Sequence, residues 1–219
     1  MERQYTTKEK VSNWLHYHIW WVAAAVLLLV ILGSMVLSKA EQRQQKCDYA
    51  IGYVGTAELP ADCVQALKSR ISAFGTDVDG DGAVSVKISQ YIVSNENAMG
   101  EDVAYGRTAE VALLTDISEE ESYFFLVEYP EDFQRDFQLM AHLDGSPSAE
   151  DDFGVWDKVY RWADCPVLAG LELGEEYQSL LQNLYIGRRC FVNPKAKGNT
   201  PENAALWAIL TDGAVQPSQ

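Results

Sequence analysis

The stretch DYAIGYVG, Asp48 to Gly55, decides the fold. It is an apolar run rich in residues that favour extended backbone and is closed by glycine, which predicts a strand buried on both faces. Working outward, Leu59-Pro60-Ala61 opens a helix, with Pro suited to the first turn and Val64, Leu67, Ile71 and Phe74 recurring at steps of three and four. Gly75 ends it. After the turn, Ala83 to Val93 alternates: Val84, Val86 and Ile88 are apolar, while Ser85, Lys87 and Ser89 are polar. Period two predicts a second strand, and a strand joined to the next through a helix implies parallel pairing by a right-handed crossover.

The pattern continues. Asn95 to Gly106 has no period and reads as a loop, Thr108 to Ile117 as a helix, and Ser122 to Glu128, SYFFLVE, as a third, almost wholly apolar strand. The expected class is α/β, a mixed or parallel sheet with helices on both faces. In the second half, Pro130 to Met140 predicts a short helix, Leu143 to Pro147 a turn, and Phe153 to Trp162 a helical or looped stretch. Leu184 to Val192 predicts a strand, and Pro201 to Leu210 a closing helix capped by Thr200.

Ahead of this domain, residues 19–37, IWWVAAAVLLLVILGSMVL, hold no charge. At a helical rise they extend about 28 Å, the thickness of a bilayer's hydrocarbon layer. Trp14, Tyr17, Trp20 and Trp21 gather at the first edge, as interfacial aromatics do. A cleaved signal peptide is the rival, with Ser38-Lys39-Ala40 as its small-residue site, but the apolar run exceeds the roughly 7–15 residues of such leaders. The expected order is a cytoplasmic tail at 1–18, a transmembrane helix at 19–37, a stalk at 38–46 and an exterior acidic domain at 47–219.

Charge supports that sidedness where flanking Lys and Arg, three on each side, do not choose. Residues 1–46 carry six basic and three acidic residues, leaving 11 of the 17 basic and 29 of the 32 acidic residues in 47–219, a balance of −18. Such a domain repels nucleic acid and anionic lipid. The expected partners are therefore the bilayer, through the span, and an envelope protein or a small ligand.

The turn between helix and second strand is Asp77-Val78-Asp79-Gly80-Asp81-Gly82-Ala83. Aspartates at alternate positions followed by glycine open a calcium loop, with Asp77, Asp79, Asp81 and the carbonyl of Ala83 as ligands. The twelfth position is Ile88, where such a loop needs a bidentate Glu. A structural Ca2+ ion therefore requires a carboxylate from elsewhere, and Glu101 and Asp102 are the named lenders. A solvated Asp/Gly turn fits the same letters.

Of the cysteines, Cys47 and Cys63 would be separated by a whole strand, whereas Cys165 and Cys190 could form a disulfide or stay as free thiols. Nucleophilic chemistry finds little support. There is no G-x-S-x-G, phosphate loop or dinucleotide fingerprint, and His142 is the one histidine after the span. Trp156, Tyr160 and Trp162 could floor a pocket, but that spacing also suits a core.

Taken in order, Ile51–Gly55 (IGYVG), Asp77–Tyr91 (DVDGDGAVSVKISQY), Ser122–Gln134 (SYFFLVEYPEDFQ), Leu143–Ser146 (LDGS), Val159–Gly174 (VYRWADCPVLAGLELG) and Leu184–Phe191 (LYIGRRCF) resemble a family of single-span membrane proteins of gut Firmicutes. The resemblance implies an anchored exterior domain and brings no activity with it. The order of elements is also similar in fold to one lobe of the extracytoplasmic substrate-binding proteins of ABC transporters, although the 173 residues after the stalk are few for two lobes. Fold does not fix function.

The expectation is a membrane-anchored binding or interaction domain. A ligand would lie beyond the carboxyl ends of the parallel strands, at Thr56, Glu128 and Tyr129. The rivals are a carboxylate-dependent hydrolase of the envelope and a structural subunit of a membrane complex, for which Ala23, Ala24, Ala25, Gly33 and Ser34 would permit close helix packing.

Overall fold

The computed structural model describes residues 47–93, 101–191, 193–196 and 198–217. The tail, the span at 19–37 and the stalk lie outside the described residues, and among the described residues no helix is long and apolar enough to cross a membrane. The chain divides into Met1–Lys46 and Cys47–Gln219, and the second unit is the one described below.

That unit is α/β, built on a five-stranded sheet. Its strands are β1 (Tyr49–Gly55), β2 (Val86–Ile92), β3 (Phe124–Val127), β4 (Val159–Arg161) and β5 (Tyr185–Arg188). The helices are α1 (Ala61–Ser72), α2 (Glu101–Glu119), α3 (Pro130–Phe137), α4 (Pro166–Ala169), α5 (Glu175–Leu181) and α6 (Pro201–Leu210). Spatial order runs β2-β1-β3-β5-β4. Both β2 and β3 pair with β1 in parallel, whereas β5 runs antiparallel to β3 and to β4, so the sheet is mixed.

Alternation along the strands divides the core in two. Tyr49, Ile51 and Tyr53 of β1, with Phe124 and Leu126 of β3, join Cys63, Leu67 and Ile71 of α1 and Leu206, Trp207 and Leu210 of α6. On the opposite face Val54, Phe125 and Val127 meet Leu113 of α2 and Phe133 of α3. The four side chains of β3 are at most 1% exposed. Each therefore contributes about 1.5–3 kcal/mol relative to an exposed side chain. Gly52 lets the sheet close over this core, because a Cβ there would lie 2.7 Å from the Phe125 ring.

Four expectations need correction. The loop expected over 95–106 ends early, since α2 begins at Glu101. Among its described side chains the buried positions are Gly106, Leu113 and Asp116. A glycine and an aspartate on a narrow stripe remove the apolar period. The helix expected to reach Met140 stops at Phe137, where Gln138 adopts φ 47° and donates its N–H to the Gln134 carbonyl. Met140 instead forms a bridge with Arg189. Of the stretch 153–162, expected to be helical or looped, residues 153–158 are loop and turn, but Val159–Arg161 is β4, a three-residue strand set by pairing with β5 and too short to display alternation.

The fourth correction concerns the cysteines, all of which are free thiols. Arg161, four residues before Cys165, pairs with Tyr185 at one end of β5, whereas Cys190 lies beyond its other end. Five extended residues span about 16 Å, and a disulfide needs its Cα atoms within about 7 Å. Cys165 is sealed in the first core cluster, while the Cys190 N–H is bonded to the Leu139 carbonyl.

Candidate functional site

Three polar regions of the domain are candidate sites. The first is the carboxyl end of β1 and β3. These strands are neighbours, but β1 connects outward through α1 to β2 while β3 continues into α3, so their ends form a topological switch point. There the N–H and the hydroxyl of Thr56 both donate to one carboxylate oxygen of Glu128, at 2.7 and 2.8 Å. Glu128 is positioned by its own N–H on the Val54 carbonyl, and the loop after Thr56 by the Tyr53 hydroxyl donating to Ala57 O at 2.9 Å.

Tyr129 stands next to this pair with 55% of its surface exposed. The Glu128 charge, followed by partial desolvation and Asp132, holds its phenol above the ordinary range. Thr56, Glu128 and Tyr129, named from sequence, are thus brought together. In an α/β fold the N–H after β1 commonly faces an anion. Here the chain's own carboxylate takes that donor, with Glu131 and Asp132 in the next turn. The surface is therefore an acceptor, suited to a ligand that brings donors or positive charge.

The second region is the aspartate loop. Asp77 accepts from the N–H groups of Gly80 (2.7 Å) and Gly82 (2.8 Å), Asp79 from Asp81 and Asp81 from Ala83. Gly80 and Gly82 take φ of 76° and 93°, which the turn requires and side chains resist. Asp48, at the start of β1, accepts from Val78, Asp79 and Ser85. Burial alone would raise its carboxyl, and those hydrogen bonds outweigh it, so it titrates below the ordinary value.

Oxygens of Asp48, Asp77 and Asp79 lie within 4.8 Å of one another. The set differs from the sequence expectation, since Asp48 joins it and Asp81 does not. Asp77 and Asp79 keep lone pairs for a hard cation, whereas each oxygen of Asp48 already accepts two donors, so the hydrogen bonds account for the carboxylates without an ion.

The third region was not legible as a site. His142 places Nδ1 2.8 Å from Asp157 and Nε2 3.4 Å from Asp152. Lys158, whose side chain is fully buried, pairs with Asp152 at 2.9 Å and Asp157 at 3.5 Å and donates to the Gly154 carbonyl. Its hydrogen bond, against a smaller effect of burial, keeps Asp152 below the ordinary carboxylate range. His142 stands out in the sequence, but nothing local marks its partners, which lie 10 and 15 residues away on the segment leading into β4.

The aromatic trio is core. Trp162 is fully buried and donates Nε1–H to Gln178, Tyr160 packs on Trp207, and Trp156 meets Tyr185 edge-on. No family model, curated protein or solved structure matches the chain. The class that the fold defines is an α/β domain with a five-stranded mixed sheet, and any functional reading rests on the geometry just described.

Proposed function

We propose that this chain is a membrane-anchored, extracytoplasmic binding domain whose ligand seat is the switch point at Thr56, Glu128 and Tyr129. The observation that carries the reading is the meeting of two loop ends from adjacent parallel strands, with an exposed aromatic ring beside a hydrogen-bonded carboxylate. The uncharged run at 19–37 supports the anchor, and the −18 balance of the domain supports a cationic or donor-rich ligand. Among the described residues no paired nucleophile and base accompanies the switch point, and binding is the reading we favour over hydrolysis.

Native mass spectrometry of the full-length chain, extracted from its own membranes in mild detergent, tests the seat. A bound mass retained by the wild type and lost in Tyr129→Ala supports it; a mass retained equally by both removes it. Protease protection on intact cells tests the address, since a domain digested only after lysis is on the wrong side of the bilayer.

We also propose a structural Ca2+ at the aspartate loop, held by Asp48, Asp77 and Asp79. Asp48 is the specific support, because it supplies a carboxylate from outside the loop, as the missing twelfth-position Glu requires. Millimolar calcium is expected to raise the Tm of the full-length chain and to lose that effect in Asp79→Ala. An identical melting curve in calcium and in chelator would leave the loop a hydrogen-bonded turn.

A further inference from the structure

The strand order leaves β2 at the edge of the sheet with β1 as its one neighbour, and the register between them runs without a bulge from Tyr49 opposite Val86 to Gly55 opposite Ile92. We propose that this edge is a dimer interface, at which β2 pairs antiparallel with β2 of a second copy of the chain across a two-fold axis at Ser89. The interface is separate from the switch point and does not depend on it.

The ladder shows which groups point outward. The Tyr49 N–H bonds to the Ser85 carbonyl and the Val93 N–H to the Gly55 carbonyl. Alternate residues of a parallel strand serve one neighbour, so Lys87, Ser89 and Tyr91 also face β1, while Val86, Ile88, Gln90 and Ile92 turn their N–H and C=O groups away from it. Among the described residues no other backbone takes them. Edge strands are commonly blunted by Pro, by a bulge or by outward charge. In β2 there is no Pro or bulge, and its one charged side chain, Lys87, is held by Glu121 at 3.0 Å. The opposite edge, β4, offers only three residues.

A second copy fits this edge because the strand is complementary to itself. With Ser89 on the axis, Val86 lies opposite Ile92 of the second copy and Ile88 opposite its Gln90, so every outward N–H meets an outward carbonyl. A pairing shifted by two residues leaves the end groups unpaired. On one face Val86 and Ile92, which already pack on the first core cluster, then cover each other across the join. On the other face Lys87 lies opposite Tyr91 of the second copy instead of a second lysine. Charge selects the same place. Two domains of −18 repel each other, and β2, with no Asp or Glu in its seven residues, is an edge where two backbones meet without setting carboxylates opposite one another.

Oxidative cross-linking of the full-length chain in its membranes tests the axis, with Cys47→Ser and Cys190→Ser removing the half-buried thiols. At a non-hydrogen-bonded antiparallel pair the Cα atoms lie about 4.5 Å apart, within disulfide reach. Ser89→Cys is therefore expected to cross-link at least about tenfold faster than the exposed Val93→Cys, whose two copies would stand about eight residues, or 26 Å, apart. Ser89→Lys sets two ammonium groups against each other at the axis and is expected to raise the dimer Kd at least about tenfold. Sedimentation in dodecyl maltoside reads that constant, and circular dichroism confirms that the variant folds. Equal cross-linking at the two cysteines, as contact through the span alone would give, overturns the proposal. So does a Kd unchanged by Ser89→Lys, and so does a Ser89→Cys chain that stays uncross-linked because the edge is empty or holds a strand of another protein.

Discussion

Thr56 grips Glu128 with two donors on a single oxygen, its N–H at 2.7 Å and its hydroxyl at 2.8 Å, across 72 residues of chain. The contact joins the ends of two strands that run side by side. It also fixes a negative charge beside Tyr129, and the charge is what lifts that phenol.

Glu128→Gln keeps an acceptor for Thr56 while removing the charge. The Tm is expected to move by no more than about 2–4 °C, the shift that 1 kcal/mol gives in a domain of this size. Ionisation of Tyr129 should fall towards its ordinary value of 10.0, followed by NMR on ring-labelled tyrosine. A Tyr129 titration identical to wild type would show that Glu128 is not what raises it.

Asp48 predicts an acid limb. Its folded-state value lies below the ordinary 3.8, so its contribution is present in full above that value and is lost as the pH falls through the lower, folded one. Asp48→Asn should flatten the fall in stability below about pH 4. Asp48→Ala leaves the part-buried Ser85 N–H without its acceptor, while the exposed Val78 and Asp79 N–H groups turn to water, and should cost about 1–3 kcal/mol at neutral pH. Denaturant melts at several pH values measure both, and parallel acid limbs in wild type and Asp48→Asn would refute the assignment.

Lys158 is buried, but its partners are not: Asp152 and Asp157 keep 31% and 54% of their side-chain surface. Water can therefore take over the carboxylates when the ammonium is removed. Lys158→Met is expected to cost about 1–3 kcal/mol, below the 3–5 typical of a fully buried pair. Asp152 should then titrate higher, because the Lys158 hydrogen bond is the main cause of its depression. Adding Asp152→Asn should recover part of the loss, and a double variant no better than the sum of its parts would show the two residues to be uncoupled.

The thiols offer a direct count. Burial, with Asp164 adding to it, pushes Cys165 up to about 12, and Cys63 is raised by burial as well. Maleimide should therefore label neither in the native protein. In denaturant without reductant all four cysteines should react, as free thiols do. A count of two by mass spectrometry would restore a bridge and displace the strand-end argument against Cys165 and Cys190.

The first half of the domain was readable because its signals are local and long. Seven apolar residues in β1, a twelve-residue α1 with Cys63, Leu67 and Ile71 on one stripe, and the apolar β3 each carry their own pattern. The Thr200 cap was equally legible, its hydroxyl accepting the Asn203 N–H at 3.2 Å. Beyond Pro130 the elements shorten to three to eight residues until α6, and a strand such as β4 exists only because β5 offers an edge to it.

By itself the amino-acid order determined the α/β class, the meeting place of Thr56 with Glu128 and Tyr129, and an uncharged run of spanning length, since these depend on periodicity and on which residues follow strands. Tertiary structure alone decided that the sheet is mixed, that Asp48 completes the aspartate group, that Cys165 and Cys190 stand apart, and that His142 stands between Asp152 and Asp157. Those facts are relations between segments far apart in the chain. Strand direction, register and the closing of loops fix them, and no single stretch of sequence encodes any of these.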